Sequence, residues 1–234
     1  MIVPNKNSSV LFLFSLFLII SLLGCSELLD RVIVPRNVIL SIYRSPKIDQ
    51  YKINSVALLP MAPDDTTDRG TFFATNHFLN SLKQKFPYVK FEVPLVDSIM
   101  TIDSSAVGKI INSIEKLRKL DLKYFFETDL GYAVEENEAD AMLIGTINKI
   151  INKKGFSSGR GIFKPVDATL TSCQFTYYLI SLKDGRVLWK ANILGEEGYY
   201  LLGQEEKFAP LDYAISNGID KVIDKIPLTD SKLE

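Results

Sequence analysis

Histidine is nearly absent from this chain: among 234 residues His77 is the only one. A Ser-His-Asp or Cys-His arrangement would have to pass through that single ring. Cysteine is scarce as well. Cys25 and Cys173 cannot form a Cys/His cluster of metal-binding spacing, and no metal or cofactor is expected. Charge of one sign is missing too, with 27 Lys and Arg against 28 Asp and Glu. No basic surplus points to nucleic acid, and no acidic run points to a disordered tail. The glycines at 155, 159 and 161 lack the G-x-x-x-x-G-K-[ST] spacing of a phosphate loop. Internal repeats of the solenoid or propeller kind are absent.

Long apolar runs are also missing, with one exception. Val10 to Leu23 is Leu-, Ile- and Phe-rich and interrupted only by Ser15 and Ser21. At 14 residues it is short for a helical span, which needs about 20, and suits the h-region of a signal peptide. Lys6 supplies the positive charge before it, and Leu22-Leu23-Gly24-Cys25 closes it. That closing stretch resembles a bacterial lipobox, at which a prolipoprotein is lipidated on Cys and cut just before it. The resemblance implies that residues 1–24 are removed and that Cys25 carries a diacylglyceryl thioether and an N-acyl chain, palmitate among them. Two or more chains make a lasting membrane anchor where one does not. Ser26, in place of Asp, implies sorting to the outer membrane, facing the periplasm. Without residues 1–24 the chain keeps 26 basic and 28 acidic residues, and Cys173 has no disulfide partner.

The remaining residues read as a 25–52 tether, a 53–227 domain and a 228–234 tail. On the tether, the β-rich pieces Arg31–Pro35 and Val38–Ile42 are broken by prolines and suit edge strands or an extended arm. Ile53–Pro60 is a short apolar run suited to a buried strand. Asp64, Asp65 and Asp68 sit in a polar loop, where turn and cap chemistry accounts for them without a cation. A helix over 71–86 puts Phe72, Phe78, Leu79, Leu82 and Phe86 on one stripe, with Phe73 and His77 opposite. A strand at 90–93 precedes helices over 106–120 and 126–137. A strand over 139–151, a loop over 152–167 and a strand over 168–182 follow. Lys183-Asp184-Gly185 is a hairpin turn, and a strand over 186–194 returns through Trp189. Gly195 to Gly203 reads as a loop carrying Tyr199 and Tyr200, and Pro210 opens a last helix. Three consecutive late strands should be antiparallel neighbours, while the early strand needs a helical crossover. The expected fold is therefore α/β (α+β), a single domain with a mixed, mostly antiparallel sheet and helices packed on its faces.

Ser55-Val-Ala-Leu-Leu-Pro60, Ala139-Asp-Ala-Met-Leu-Ile-Gly-Thr146 and Leu182-Lys-Asp-Gly-Arg-Val-Leu-Trp189 resemble the periplasmic lipoprotein superfamily of the curli secretion channel, which includes penicillin-binding-protein activator lipoproteins. Some members of that group form oligomeric outer-membrane pores, and others bind an envelope enzyme or serve export systems. A pore strand needs about 9–11 residues alternating apolar and polar, which 152–167 does not provide. The function expected is that of a non-catalytic envelope lipoprotein, tethered through Cys25 and acting on another envelope protein. Its candidate contacts are Phe73, His77, Tyr199 and Tyr200. A secretion-channel component and a carboxylate-based cell-wall hydrolase are the rival readings.

Overall fold

The computed structural model describes residues 34–59, 61, 70–94, 104–157, 166–200 and 207–228. In chain order they form β1 (Val38–Arg44), β2 (Ser55–Leu58), α1 (Gly70–Lys85), β3 (Lys90–Glu92), α2 (Ser104–Leu117), α3 (Leu122–Phe126), α4 (Asp129–Glu136), β4 (Ala141–Ser157), β5 (Val166–Ser181), β6 (Val187–Tyr200) and α5 (Leu211–Val222). One six-stranded sheet runs β1-β6-β5-β4-β2-β3. The four longer strands pair antiparallel, and β2 lies parallel to both β4 and β3. The chain is a single mixed α/β domain, with helices on both faces of an open sheet.

Strand alternation sorts the core into two layers. Val56, Leu58, Ala141, Leu143, Phe175, Tyr177, Leu179, Ala191 and Ile193 point to one face and meet α1 and α5. Ala57, Leu59, Met142, Ile144, Tyr178 and Ile180 point to the other and meet α2, α3 and α4. A period of two is what a pleated strand imposes, and apolar residues at both parities mark a sheet buried on both faces. Each fully buried large apolar side chain in these layers contributes about 1.5–3 kcal/mol.

Several sequence expectations meet different outcomes. Val38–Ile42, expected as an edge strand or an extended arm, takes the first of these: Val38–Arg44 pairs with β6 from Val38↔Leu194 to Arg44↔Trp189. The helix expected over 126–137 is two helices. Thr128 is the reason: its hydroxyl donates to the Phe125 carbonyl at 2.6 Å and accepts from the Gly131 amide at 3.0 Å. It thus closes α3 and caps α4 in a single residue. Residues 152–157, 166–167 and 195–200, expected in loops, are strand. The β4–β5 ladder continues to Ser157↔Val166, and β6 runs to Tyr200 opposite Ala168. Cross-strand pairing overrides the weak strand propensity of Gly, Lys and Asn there.

The hairpin turn is where it was expected, with a loop closed by Ser181 N–H donating to the Arg186 carbonyl at 3.0 Å. Gly185 sits at φ +73°, the left-handed region that favours glycine. Its carbonyl accepts from the Leu120 amide at 2.7 Å, which pins the end of α2 to this turn. Gly145, the glycine of the Ala139–Thr146 strand, is filled from outside: a Cβ there would lie 2.6 Å from the Tyr177 ring and 2.8 Å from Met61.

Candidate interaction surface

α1 and α5 lie on the same sheet face, and both begin at the end of the sheet where β2 and β6 finish. Two contacts join them along their outer seam, and a third ties α1 to the short turn that follows α5. The Phe73 and Tyr213 rings are 5.8 Å apart at 59°. His77 Nε2 and Asp220 Oδ1 are 2.8 Å apart, and Lys85 Nζ meets Asp224 Oδ1 at 2.6 Å. The pairs advance in the same direction on both helices, so the helices are parallel. Apolar positions 74, 78 and 82 of α1 and 214, 215, 219 and 222 of α5 face the core, which leaves the seam residues outward.

Phe73 is half exposed, as is Tyr213. Tyr199, opposite Thr169 near the end of β6, is 42 % exposed. It shares the parity of Ala191 and Ile193 and so points to the α1/α5 face. Phe73 and Tyr213 thus form an exposed aromatic pair, and Tyr199 is exposed on the same face of the sheet. Close by, the Thr169 and Thr171 hydroxyls each donate at 2.6 Å, to the carbonyls of Lys207 and Ala209. These bonds fix the approach of the chain to α5.

Phe73 and Tyr199 are therefore surface residues, whereas His77 is engaged with Asp220. Tyr200 ends β6, and only its backbone pairing with Ala168 is described. Cys25, the Asp64, Asp65 and Asp68 loop, and Leu201-Leu202 lie outside the described residues. The sequence reading missed Tyr213, Asp212 and Asp220. Counting helical turns from Pro210 leaves Tyr213 off the apolar stripe, and a bulky aromatic on a polar face was the available signal.

Asp212 adds an electrostatic feature in the first turn of α5. Its Oδ1 is buried without a hydrogen-bond partner, and burial pushes its carboxyl from the ordinary 3.8 up to about 6. A raised folded-state value means that this group favours the folded state below its unfolded value. That contribution is lost as pH rises from about 4 to about 6. Thermal midpoints of Asp212→Asn should accordingly be flatter across that window and higher than wild type at pH 7. A variant that keeps the wild-type slope would show that another group sets it.

Among the described residues no serine, threonine or cysteine side chain is paired with the His77 ring. Gly155-Phe-Ser-Ser-Gly159 spells G-x-S-x-G, against the expectation that the chain has no nucleophile elbow of that pattern. Ser157 there ends β4 opposite Val166 in an antiparallel hairpin, not in the strand-to-helix turn that exposes a hydrolase serine. Cys173 is fully buried, and burial pushes its thiol up to about 12, far from a reactive thiolate. Among the described residues no three His, Cys, Asp or Glu side chains are grouped to hold a metal ion.

A cleft of about 700 Å³ lies at the opposite end of the sheet, between Tyr51–Ile53, Glu138–Asp140 and Ser181–Asp184. Two of its carboxylates, Asp140 and Asp184, serve the fold. Asp140 Oδ2 accepts from the Asn54 amide at 2.8 Å and from the Ser55 amide at 3.1 Å, which locks the start of β2 beside β4. Asp184 accepts from the Tyr51 hydroxyl at 2.7 Å. Burial opposes its ionisation, but that bond and those from the Arg186 amide and Ser181 outweigh it and lower its value.

No protein-family model matches the chain, and no curated protein matches it. Solved structures similar to it include the PelC dodecamer from Paraburkholderia phytofirmans, at 14 % identity and a TM-score of 0.44, covering 83 % of this chain and 100 % of that one. Lipoprotein GNA1162 from Neisseria meningitidis is 12 % identical with a TM-score of 0.33, over 74 % of this chain and 96 % of that one. A PDZ domain protein from Parabacteroides distasonis is 9 % identical with a TM-score of 0.33, over 84 % of this chain and 37 % of that one.

Proposed function

We propose that this chain is a bacterial envelope lipoprotein, held at the outer membrane by lipidated Cys25, that acts by binding another envelope protein without catalysis. The observation that carries the binding role is the exposed Phe73–Tyr213 pair on the α1/α5 layer, with Tyr199 exposed on the same sheet face. Rigid aromatics with half their surface in water are the residue type that dominates protein interfaces. The membrane tether rests on the lipobox-like Leu22–Cys25 and the short apolar run before it. Intact mass of membrane-fractionated protein tests it. Wild type should begin at Cys25 with added acyl mass, and Cys25→Ala should lack it. An unprocessed chain retaining Val10–Leu23 would withdraw the lipid anchor.

Binding is tested by placing a photo-crosslinking residue at Phe73 or Tyr199 in cells and comparing adducts with Tyr213→Ala and His77→Ala backgrounds. A discrete adduct is expected at both positions. Tyr213→Ala should weaken it about tenfold or more, as loss of a hot-spot side chain does. Equal adducts in every background would remove this surface from the proposal.

The pore reading is less well supported. β4 and β5 reach 17 and 16 residues, long enough for a membrane hairpin. The outer half of β4, however, alternates Ile150, Asn152, Lys154 with Lys149, Ile151, Lys153, so neither of its faces is apolar.

A further inference from the structure

The two edges of the sheet differ. β3 is three residues long, with Lys90 and Glu92 joined at 2.8 Å, a short and charged edge. At the other edge, β1 is seven residues long and every residue except Ile39 is exposed. Val34, Val38, Leu40, Ile42 and Tyr43 are each between 42 % and 54 % exposed. An edge strand with exposed apolar side chains on both of its faces needs a cover.

Three observations identify the cover. The first is position. Val34 is nine residues after Cys25, so the strip stays within about 30 Å of that residue even when the chain between them is fully extended. The second is charge. Residues 34–52 carry Arg36, Arg44, Lys47 and Lys52 against Asp49 alone, although the whole chain is at −1. Beside Tyr43 a cleft of about 270 Å³ is lined by Arg118 and Lys190 together with Glu115. The third is shape. The register shifts between Ile39 and Ser41, and a bulge there interrupts the straight ladder that an added strand would need. A fluid surface tolerates that irregularity, and its water and phosphate oxygens can accept from the unpaired edge amides.

We propose that the β1 edge is a second membrane contact, seated in the headgroup region of an anionic phospholipid surface, with Leu40 and Ile42 at the acyl boundary and Arg36, Arg44 and Lys47 on phosphates. The proposal rests on the membrane-tether reading of Cys25 and adds an orientation to it. With the edge seated, the domain cannot swing freely about its tether. Apolar side chains with flanking cations are the usual chemistry of interfacial attachment.

The test uses the full chain in phosphatidylcholine–phosphatidylglycerol vesicles, with intact mass taken on the same sample. An environment-sensitive fluorophore is placed on Ser41→Cys in β1 and, as a control, on Asn80→Cys on the outer side of α1. Cys173 is buried and does not compete for label. Brominated lipid should quench the probe at position 41 several times more than at position 80. Leu40→Asp combined with Ile42→Asp should abolish that difference while leaving the acyl mass in place. Acylated protein whose position-41 probe is as wet as the control overturns the docking and spares the anchor. An unacylated chain that still shows quenching at 41 removes the anchor and spares the docking. A probe at 41 that is shielded but unquenched, with label–label proximity, would assign the edge to a second copy and overturn the proposal.

Discussion

Replacing Gly195 with valine should lower the thermal midpoint of the full chain by roughly 6–12 °C, the shift that about 3 kcal/mol produces in a domain of this size. The cause is a single close approach. A Cβ built on Gly195 lies 1.9 Å from the Ala214 carbonyl oxygen and 3.2 Å from the Gly218 amide, both backbone atoms of α5. Backbone cannot rotate away as a side-chain tip can. The helix would have to lift, yet Ala214, Ile215, Ile219 and Val222 hold it on the sheet with no exposed surface. Glycine in a strand ordinarily costs conformational entropy, so alanine in open space would stabilise. Gly195→Ala is therefore the sharper sign test: the clash predicts a lower midpoint. An unchanged or raised midpoint would show that α5 sits further from β6 than described here.

The second large effect concerns Trp189. It is fully buried in the α1/α5 layer, opposite Leu179 on one side and Arg44 on the other. Trp189→Ala should cost about 3–5 kcal/mol, the range for emptying a large aromatic site. Trp189→Phe should cost far less than the loss of ring volume alone suggests. The Trp189 Nε1 is buried without a hydrogen-bond partner, and an orphaned buried donor costs about 1–3 kcal/mol. Phenylalanine removes that burden together with the second ring. Chemical denaturation of the two variants separates these contributions. Equal losses for Phe and Ala would mean that the indole N–H finds an acceptor after all.

Both residues bear on what could be read in advance. Trp189 was legible as a core anchor, because a large aromatic four residues past a hairpin turn, in an apolar strand, has few other places to go. Gly195 was read as the start of a loop. A glycine signals either a backbone turn or a close neighbour, and the neighbour at Gly195 is 19 residues away in sequence on α5. The same ambiguity shortened β4 at 152–157 and β5 at 166–167, where cross-strand pairing as far as Ser157↔Val166 holds the residues in strand. Thr128 is the converse case. Its capping hydroxyl was visible in the sequence, but it was passed over inside a stretch read as one helix.

The candidate surface divides in the same way. Phe73 was legible because it falls off the apolar stripe of α1. Tyr213 falls off the stripe of α5 for the same reason. That the two meet at 5.8 Å depends on α1 and α5 being parallel neighbours on one face. His77 shows the limit: its position on α1 was readable, its carboxylate partner Asp220 was not.

By itself the sequence determined the local matters: helix and strand periods, the Asp184-Gly185 turn, the antiparallel order of the last three strands, and the scarcity of histidine and cysteine. Each is set by residues within a few positions of one another, where sterics and alternation act directly. Only the tertiary structure decided which strand is the edge, which helices share a face, and which glycines make room for a neighbour. Those outcomes come from burying two apolar faces of one sheet at once. That packing joins residues more than a hundred positions apart, and no local pattern encodes it.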